Sequence, residues 1–246
     1  MHDLLRTALA GALLIASANT FAHDEPEEEA PPKIWEGTGE AGYVKTTGNT
    51  DTSALNIRFN LVRNSEKWRH RFTGTALTST KDGEKDNERY TAEVQSDYKI
   101  NEKSWMFGAF RWDSDKFGSY DPQYSLTFGY GRQLMKSDNH ELIGEVGAGY
   151  RKLEERLTGI SESDFIGRFL LNDTWQIVES TAWKNRLLVE TGSNNTFTQF
   201  NTNLVVSMTD RFAINLGYEW RNNSKLPPSQ TEKTDTVTSV NLVYNF

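Results

Sequence analysis

Cysteine is absent from all 246 residues. That excludes disulfides and a lipid anchor on a processed cysteine, and it removes the ligand that soft metals prefer. Histidine is nearly as scarce, with four in the chain: His2, His23, His70 and His140. No two stand at ligand spacing, so no transition-metal site is expected, and no cofactor. Excess positive charge is missing too. A net charge of -7 argues against nucleic acid as a partner. The apolar run near the N-terminus is too short for a spanning helix, and mean hydropathy is -0.66. What the chain does have is aromatic rings, 12% of its residues, as seven Trp, nine Tyr and thirteen Phe. Many rings at low mean hydropathy predict strands that are apolar on one face only.

Three segments follow from composition. Residues 1–22 read as a cleaved secretory signal: Arg6 supplies a positive start, Leu9 to Ala16 an apolar stretch, and Thr20-Phe21-Ala22 a small-x-small cleavage site. Residues 23–33, "HDEPEEEAPPK", hold four Glu and three Pro, cannot build a core, and are expected to form a disordered tether. Residues 34–246 carry the structured part.

There, hydrophobicity alternates with period two. In "RYTAEVQSDYKI", Tyr90, Ala92, Val94, Ser96, Tyr98 and Ile100 share one face, opposite Arg89, Thr91, Glu93, Gln95, Asp97 and Lys99. Helical spacing would scatter both sets, so this is a strand. The pattern recurs in about twelve segments, starting near Trp35, Thr52, Trp68, Arg89, Trp105, Gln123, Glu141, Asp164, Trp183, Thr198, Phe212 and Thr234. Around Trp105 to Asp113 the facing stays ambiguous, and Arg132 falls on an otherwise apolar face. Every second connector is short ("NSEK", "NEKS", "KSDNH", "VESTA", "TDR"). Those between are mostly longer and polar, such as "TKDGEKDNE", "DKFGSYDP", "EERLTGISES" and "NNSKLPPSQTEK". Short turns alternating with long loops are the signature of a barrel in an outer membrane, with turns periplasmic and loops outside.

Tryptophan supplies a third test. Trp35, Trp68, Trp105 and Trp183 open strands on the short-turn side and Trp175 closes one there, while Trp112 and Trp220 lie toward the long loops. Indoles favour the membrane–water interface, so all seven are expected to form two girdles. A soluble ligand-binding barrel, which closes with about eight strands, gives no reason for either feature. The expected fold is all-β: a closed antiparallel transmembrane β-barrel of about twelve strands. Its last strand, "VTSVNLVYNF", places Leu242, Tyr244 and Phe246 on the lipid face. An aromatic end after alternating apolar residues resembles the signal read by the bacterial barrel-assembly machinery.

The stretches "EAGYVKTTGNTDTSALNIRFNLVR", "EKWRHRF", "DGEKDNERYTAEVQSDYKI", "FGSYD" and "EKTDTVTSVNLVYNF" resemble the family of salt-induced outer-membrane proteins (YdiY-like, a domain of unknown function). The resemblance covers nearly the whole chain past residue 33. Its more specific marks are the turn Thr47-Gly48-Asn49-Thr50, the element Lys67 to His70 and the closing "KTDT" with Leu242, Tyr244 and Phe246. It implies a Gram-negative outer-membrane barrel and carries over no catalytic or binding residue. Salt induction belongs to the family name and is not visible in these residues.

Barrel hydrolases place a histidine base at the outer rim. Here His70 lies on the apolar face near a short turn and His140 sits in a short turn, so no enzymatic activity is expected. Asp82, Glu84 and Asp86 could hold calcium, but Lys81 and Lys85 intervene, and a solvated loop is the simpler reading.

The lumen face is the candidate site. Alternation assigns to it Arg58, Arg69, Arg71, Arg89, Lys99, Arg111, Arg151, Arg168, Lys184, Arg186 and Arg221, with the acids Glu36, Glu40, Glu93, Asp97, Asp113, Glu145, Glu190 and Glu219. Facing lipid at mid-depth, each Arg or Lys would cost about 2–4 kcal/mol. A modest basic excess points to a narrow passive channel for ions or small anionic solutes. Gly129, Gly131, Gly147, Gly149 and Gly217 are expected to leave inward space unfilled. The alternatives are a lumen closed by Arg–carboxylate pairs, giving a non-conducting structural or envelope-stress (salt-response) barrel, and a platform whose loops bind a partner. Outer-membrane lipid, lipopolysaccharide and the assembly machinery are the expected partners.

Overall fold

The computed structural model describes residues 34–48, 51–226 and 232–246. The signal and tether expected over 1–22 and 23–33 lie outside the described residues. Twelve strands follow in order: β1 (Trp35–Thr46), β2 (Thr52–Asn64), β3 (Trp68–Lys81), β4 (Glu84–Asn101), β5 (Ser104–Asp115), β6 (Tyr120–Lys136), β7 (His140–Glu155), β8 (Ser161–Val178), β9 (Thr181–Gly192), β10 (Thr196–Ser207), β11 (Phe212–Asn223) and β12 (Thr234–Asn245). Each pairs antiparallel with its sequence neighbours, and β1 pairs with β12, so the sheet closes into a barrel. Closure satisfies backbone groups that an open edge would leave bare.

The closing seam is shorter than the others. Its ladder runs from Thr38↔Asn245 to Ala41↔Leu242, whereas β1 and β2 pair from Trp35↔Arg63 to Thr46↔Thr52. Reciprocal backbone hydrogen bonds between Gly37 and Phe246, at 3.2 and 3.0 Å, extend it by one step. A Cβ on Gly37 would lie 2.2 Å from the Phe246 ring. Gly37 therefore has to be glycine for the final ring to lie flat on β1 and stack on Phe59, 6.0 Å away.

Strands β4, β6 and β8 begin earlier than the alternation predicts, and half or more of three expected long loops is strand. "TKDGEKDNE" is a hairpin whose strands run past the apolar band to a two-residue turn at Asp82 (φ 51°) and Gly83 (φ 86°). Two successive left-handed residues make the tight turn that matches strand twist. The connectors 116–119 and 156–160 are likewise compact, joined by a 2.9 Å hydrogen bond from Arg156 Nε to the Gly118 carbonyl. Polar composition alone could not separate solvated strand from loop. Lys116 donates to Asp121 at 2.8 Å, and that bond raises its pKa.

The outward face is apolar and exposed, as at Leu55, Val94, Leu126, Val146, Leu216, Val240 and Phe165, the last 83% exposed. The buried residues are mostly polar, many of them charged, with two small apolar clusters, one of Trp105, Phe107 and Ala109 and one of Leu170, Leu188 and Phe197. This inversion of a soluble protein's pattern suits an apolar surround and a wet or polar interior.

Candidate functional site: the barrel lumen

Inward charges meet in two tiers. In the turn-side tier, Asp97 on β4 accepts from Arg69 Nε at 2.7 Å and Arg71 at 3.1 Å, both on β3. Arg71 also reaches Glu145 on β7 at 2.9 Å, and Arg168 on β8 reaches the other Glu145 oxygen at 2.8 Å. Gln95 donates to both Asp97 and Glu145, at 2.8 and 2.9 Å. Arg186 on β9 bonds Glu93 on β4 at 3.0 Å. In the loop-side tier, Arg89 on β4 meets Glu219 on β11 at 2.6 Å, and Asp113 on β5 is held by Arg111 at 3.1 Å and by Arg221 from β11. The Phe197 ring takes Arg111 and Arg221 at 4.9 and 5.1 Å from its centroid. Four of these pairs are chords that tie strands not adjacent in the sheet: Arg71–Glu145, Arg186–Glu93, Arg89–Glu219 and Arg221–Asp113. The carboxylates Asp97 and Glu145 are completely buried, and only paired charges are tolerable there.

Beside the turn-side tier the lumen is filled by rings, which corrects two expectations. Trp105 is not a girdle residue. It points inward, 5% exposed, with Nε1 3.3 Å from Glu145 and Arg69 stacked 4.7 Å above it. Phe107 points inward too, beneath Arg168 at 4.8 Å. Three of the inward glycines are not empty space but the bed of these rings. A Cβ on Gly131 would lie 2.2 Å from Trp105 Nε1, and one on Gly129 or Gly147 would lie 2.8 or 3.0 Å from the Phe107 ring. Both faces of β5 are apolar here (Met106, Phe110 and Trp112 point out), so alternation carried no phase.

Other assigned residues sit elsewhere. Arg151 is buried toward the loop end, bonded to the backbone carbonyls of Glu190 and Asn195 and 3.7 Å from Asp164. Glu190 accepts from Ser125 at 2.9 Å. Lys99 lies at the turn-side rim, tied to Asn64 and Ser65 at 2.7 Å each, outside the lumen network.

The opposite wall is open. A cavity of about 330 Å³ runs along β1–β5 and β8–β12. Seven basic side chains line it (Arg58, Arg71, Arg89, Arg111, Lys184, Arg186 and Arg221) against three carboxylates, Glu40, Glu93 and Glu219. Glu93 and Glu219 are already neutralised by the chords. Arg58 and Lys184 carry no ion pair among the described residues. The remaining lining is mainly Thr, Asn and Gln. The lumen is thus filled by rings beside β5–β7, while the cavity is crossed by the chords and carries Arg58 and Lys184 as its basic groups without an ion pair among the described residues.

On the exterior, Trp35, Trp68, Trp175 and Trp183 are exposed on the turn side, and Trp112 and Trp220 half-buried toward the loops. Tyr244 and Phe246 stack at 6.3 Å beside exposed Leu242. His70 stacks on Trp68 and lies 2.9 Å from Ser96 Oγ. A polar row on this face escaped the sequence reading. His140 Nε2 meets Asp173 at 2.5 Å, Asn185 donates to Asp173 at 3.0 Å, and Thr202 accepts from Trp183 and donates to Asn185, each at 2.7 Å. Its signal was Asp173 in an apolar phase of β8, two residues from Trp175.

The family described as "Protein of unknown function, DUF481" matches residues 39–246, and the chain belongs to it. Escherichia coli strain K12 has a relative described as "Uncharacterized protein YdiY", 27% identical over 243 residues, covering 97% of this chain and 95% of the relative. This is the family that the motifs pointed to. Among solved structures, the COG4313 outer-membrane channel of Pseudomonas putida F1 superposes with a TM-score of 0.50 at 9% identity, over 89% of this chain and 100% of that one. The translocator domain of the autotransporter NalP from Neisseria meningitidis gives 0.48 at 9% identity, over 89% and 90%. The fold is that of an outer-membrane barrel.

Proposed function

We propose that this DUF481 barrel resides in the bacterial outer membrane and offers small anions a narrow, off-centre passive passage. The observation that carries this reading is the cavity lining, where Arg58 and Lys184 form no ion pair among the described residues. Rings of basic side chains lower the barrier for anions and raise it for cations. The exposed apolar exterior with tryptophans at both ends supports membrane residence. Phospholipid and lipopolysaccharide then surround the barrel, and Leu242, Tyr244 and Phe246 present the assembly signal. No chemical step is part of this function.

A second reading, a non-conducting structural barrel, draws on the chords themselves. Arg71–Glu145 and Arg89–Glu219 cross the lumen at 2.9 and 2.6 Å and brace the wall whether or not solute passes. Planar-bilayer recording under a salt gradient separates the two. Discrete steps whose reversal potential indicates anion preference support the passage. A folded barrel that never conducts supports the brace alone.

A further inference from the structure

We infer that the open side of the lumen is a binding site for a small hydroxylated monocarboxylate, a sugar acid by size and chemistry. The inference deepens the passage reading by naming its cargo. The starting point is which polar atoms the barrel leaves unused. Arg58 and Glu40 are register partners on β2 and β1, yet form no ion pair. Instead, Glu40 Oε2 accepts from Asn215 at 2.9 Å and Asn241 at 3.3 Å, while Oε1 has no partner among the described residues. Lys184 is the register partner of Asn203, and a second small cavity brings Asn203 together with Arg58. Two cations without an ion pair and one carboxylate oxygen without a hydrogen-bond partner, among the described residues, thus line one cavity, otherwise rich in neutral donors and acceptors such as Thr75 and Asn172.

Each free group restricts the ligand. Arg58 and Lys184 call for an anion, and the planar guanidinium fork matches a carboxylate. Glu40 Oε1 repels a bare anion, and a dianion more strongly. It is satisfied by a ligand that also donates hydrogen bonds, which a halide or acetate cannot do. The neutral amides and hydroxyls prefer several weak donors and acceptors to a second charge. At about 330 Å³ the cavity sits at the small end of ligand-pocket sizes, about 300–1,000 Å³. One carboxylate on a chain or ring of hydroxyls meets all of these demands.

Titration calorimetry on the purified full-length barrel in detergent, with gluconate, acetate and glycine, tests the inference. Bilayer recording on the same preparation reads the passage. Gluconate should bind more tightly than acetate or glycine, and Arg58→Gln or Lys184→Gln should each weaken it by about tenfold, the scale of one charge-assisted hydrogen bond. Gluconate should also block the chloride current, with the same loss in both variants. Equal binding of gluconate and acetate would overturn the inference, and so would preference for glycine, which would reassign Glu40 to an ammonium. Gluconate binding without conductance keeps the site and sinks the passage. Anion-selective conductance without gluconate preference does the reverse.

Discussion

The Arg71 guanidinium meets the Glu145 carboxylate at 2.9 Å across the barrel, although 74 positions separate them in the chain. Glu145 is the hub of the turn-side tier: Arg168, Gln95 and the Trp105 indole converge on it too. Its buried charge is tolerable only because the two guanidinium groups face it. Removing that charge leaves the buried Arg168 with only the more distant Glu93 at 3.7 Å, while Arg71 keeps Asp97 at 3.1 Å, so Glu145→Gln should destabilise the barrel by about 3 kcal/mol. The temperature at which the folded band is lost on gels is the readout, and Glu40→Gln, outside the chords, should change it little.

Gly131 and Trp105 form a second tight relationship. A Cβ at 131 would lie 2.2 Å from Nε1 and 2.3 Å from Cε2 of the indole. Gly131→Ala should therefore displace the ring and cost about 1–3 kcal/mol. Adding Trp105→Ala should remove most of that further cost, because nothing remains to clash. A double-mutant cycle on thermal stability measures the coupling, and a strictly additive result would place the indole elsewhere.

Closure of the barrel rests on the short seam. Gly39 and Tyr244 are register partners on β1 and β12, and partners on one face hold their Cβ atoms about 4.5–5.5 Å apart. The chain has no cysteine, so Gly39→Cys with Tyr244→Cys gives an unambiguous test. Oxidation should join the strands and keep the boiled chain compact on a gel, with thiol reductant reversing it.

Phe246 joins the seam to its neighbours by lying over Gly37 and stacking on Phe59. Phe246→Ala should lose about 0.5–1.5 kcal/mol of ring pairing beyond its buried area. The fraction of chain that reaches the folded, heat-modifiable form in cells should fall further than refolding yield in detergent does. An equal fall in both would mean that the ring serves packing and no assembly signal.

How much of this was legible in the sequence depends on the reach of each signal. Alternation is local, and it placed Arg58, Arg89 and Glu219 inward correctly because each strand carries its own apolar face. It failed on β5, where Trp105 and Phe107 are as apolar as Met106 and Phe110 across the sheet. Tryptophan at a strand start suits a girdle, and only the glycines opposite could have betrayed an inward ring. Partners across the lumen were invisible, because a chord such as Arg186–Glu93 joins residues 93 positions apart. The sequence therefore placed charges in the lumen without separating Arg168, paired with Glu145, from Arg58, which lines the cavity without an ion pair among the described residues.

That separation is the centre of the account, and reversal potential in planar bilayers tests it most directly. The unmodified barrel should conduct with anion preference. Arg58→Gln combined with Lys184→Gln should move the reversal potential toward the unselective value, whereas Lys99→Gln at the rim should leave it in place. A folded barrel that stays silent, or a double variant as anion-selective as its parent, would contradict the account.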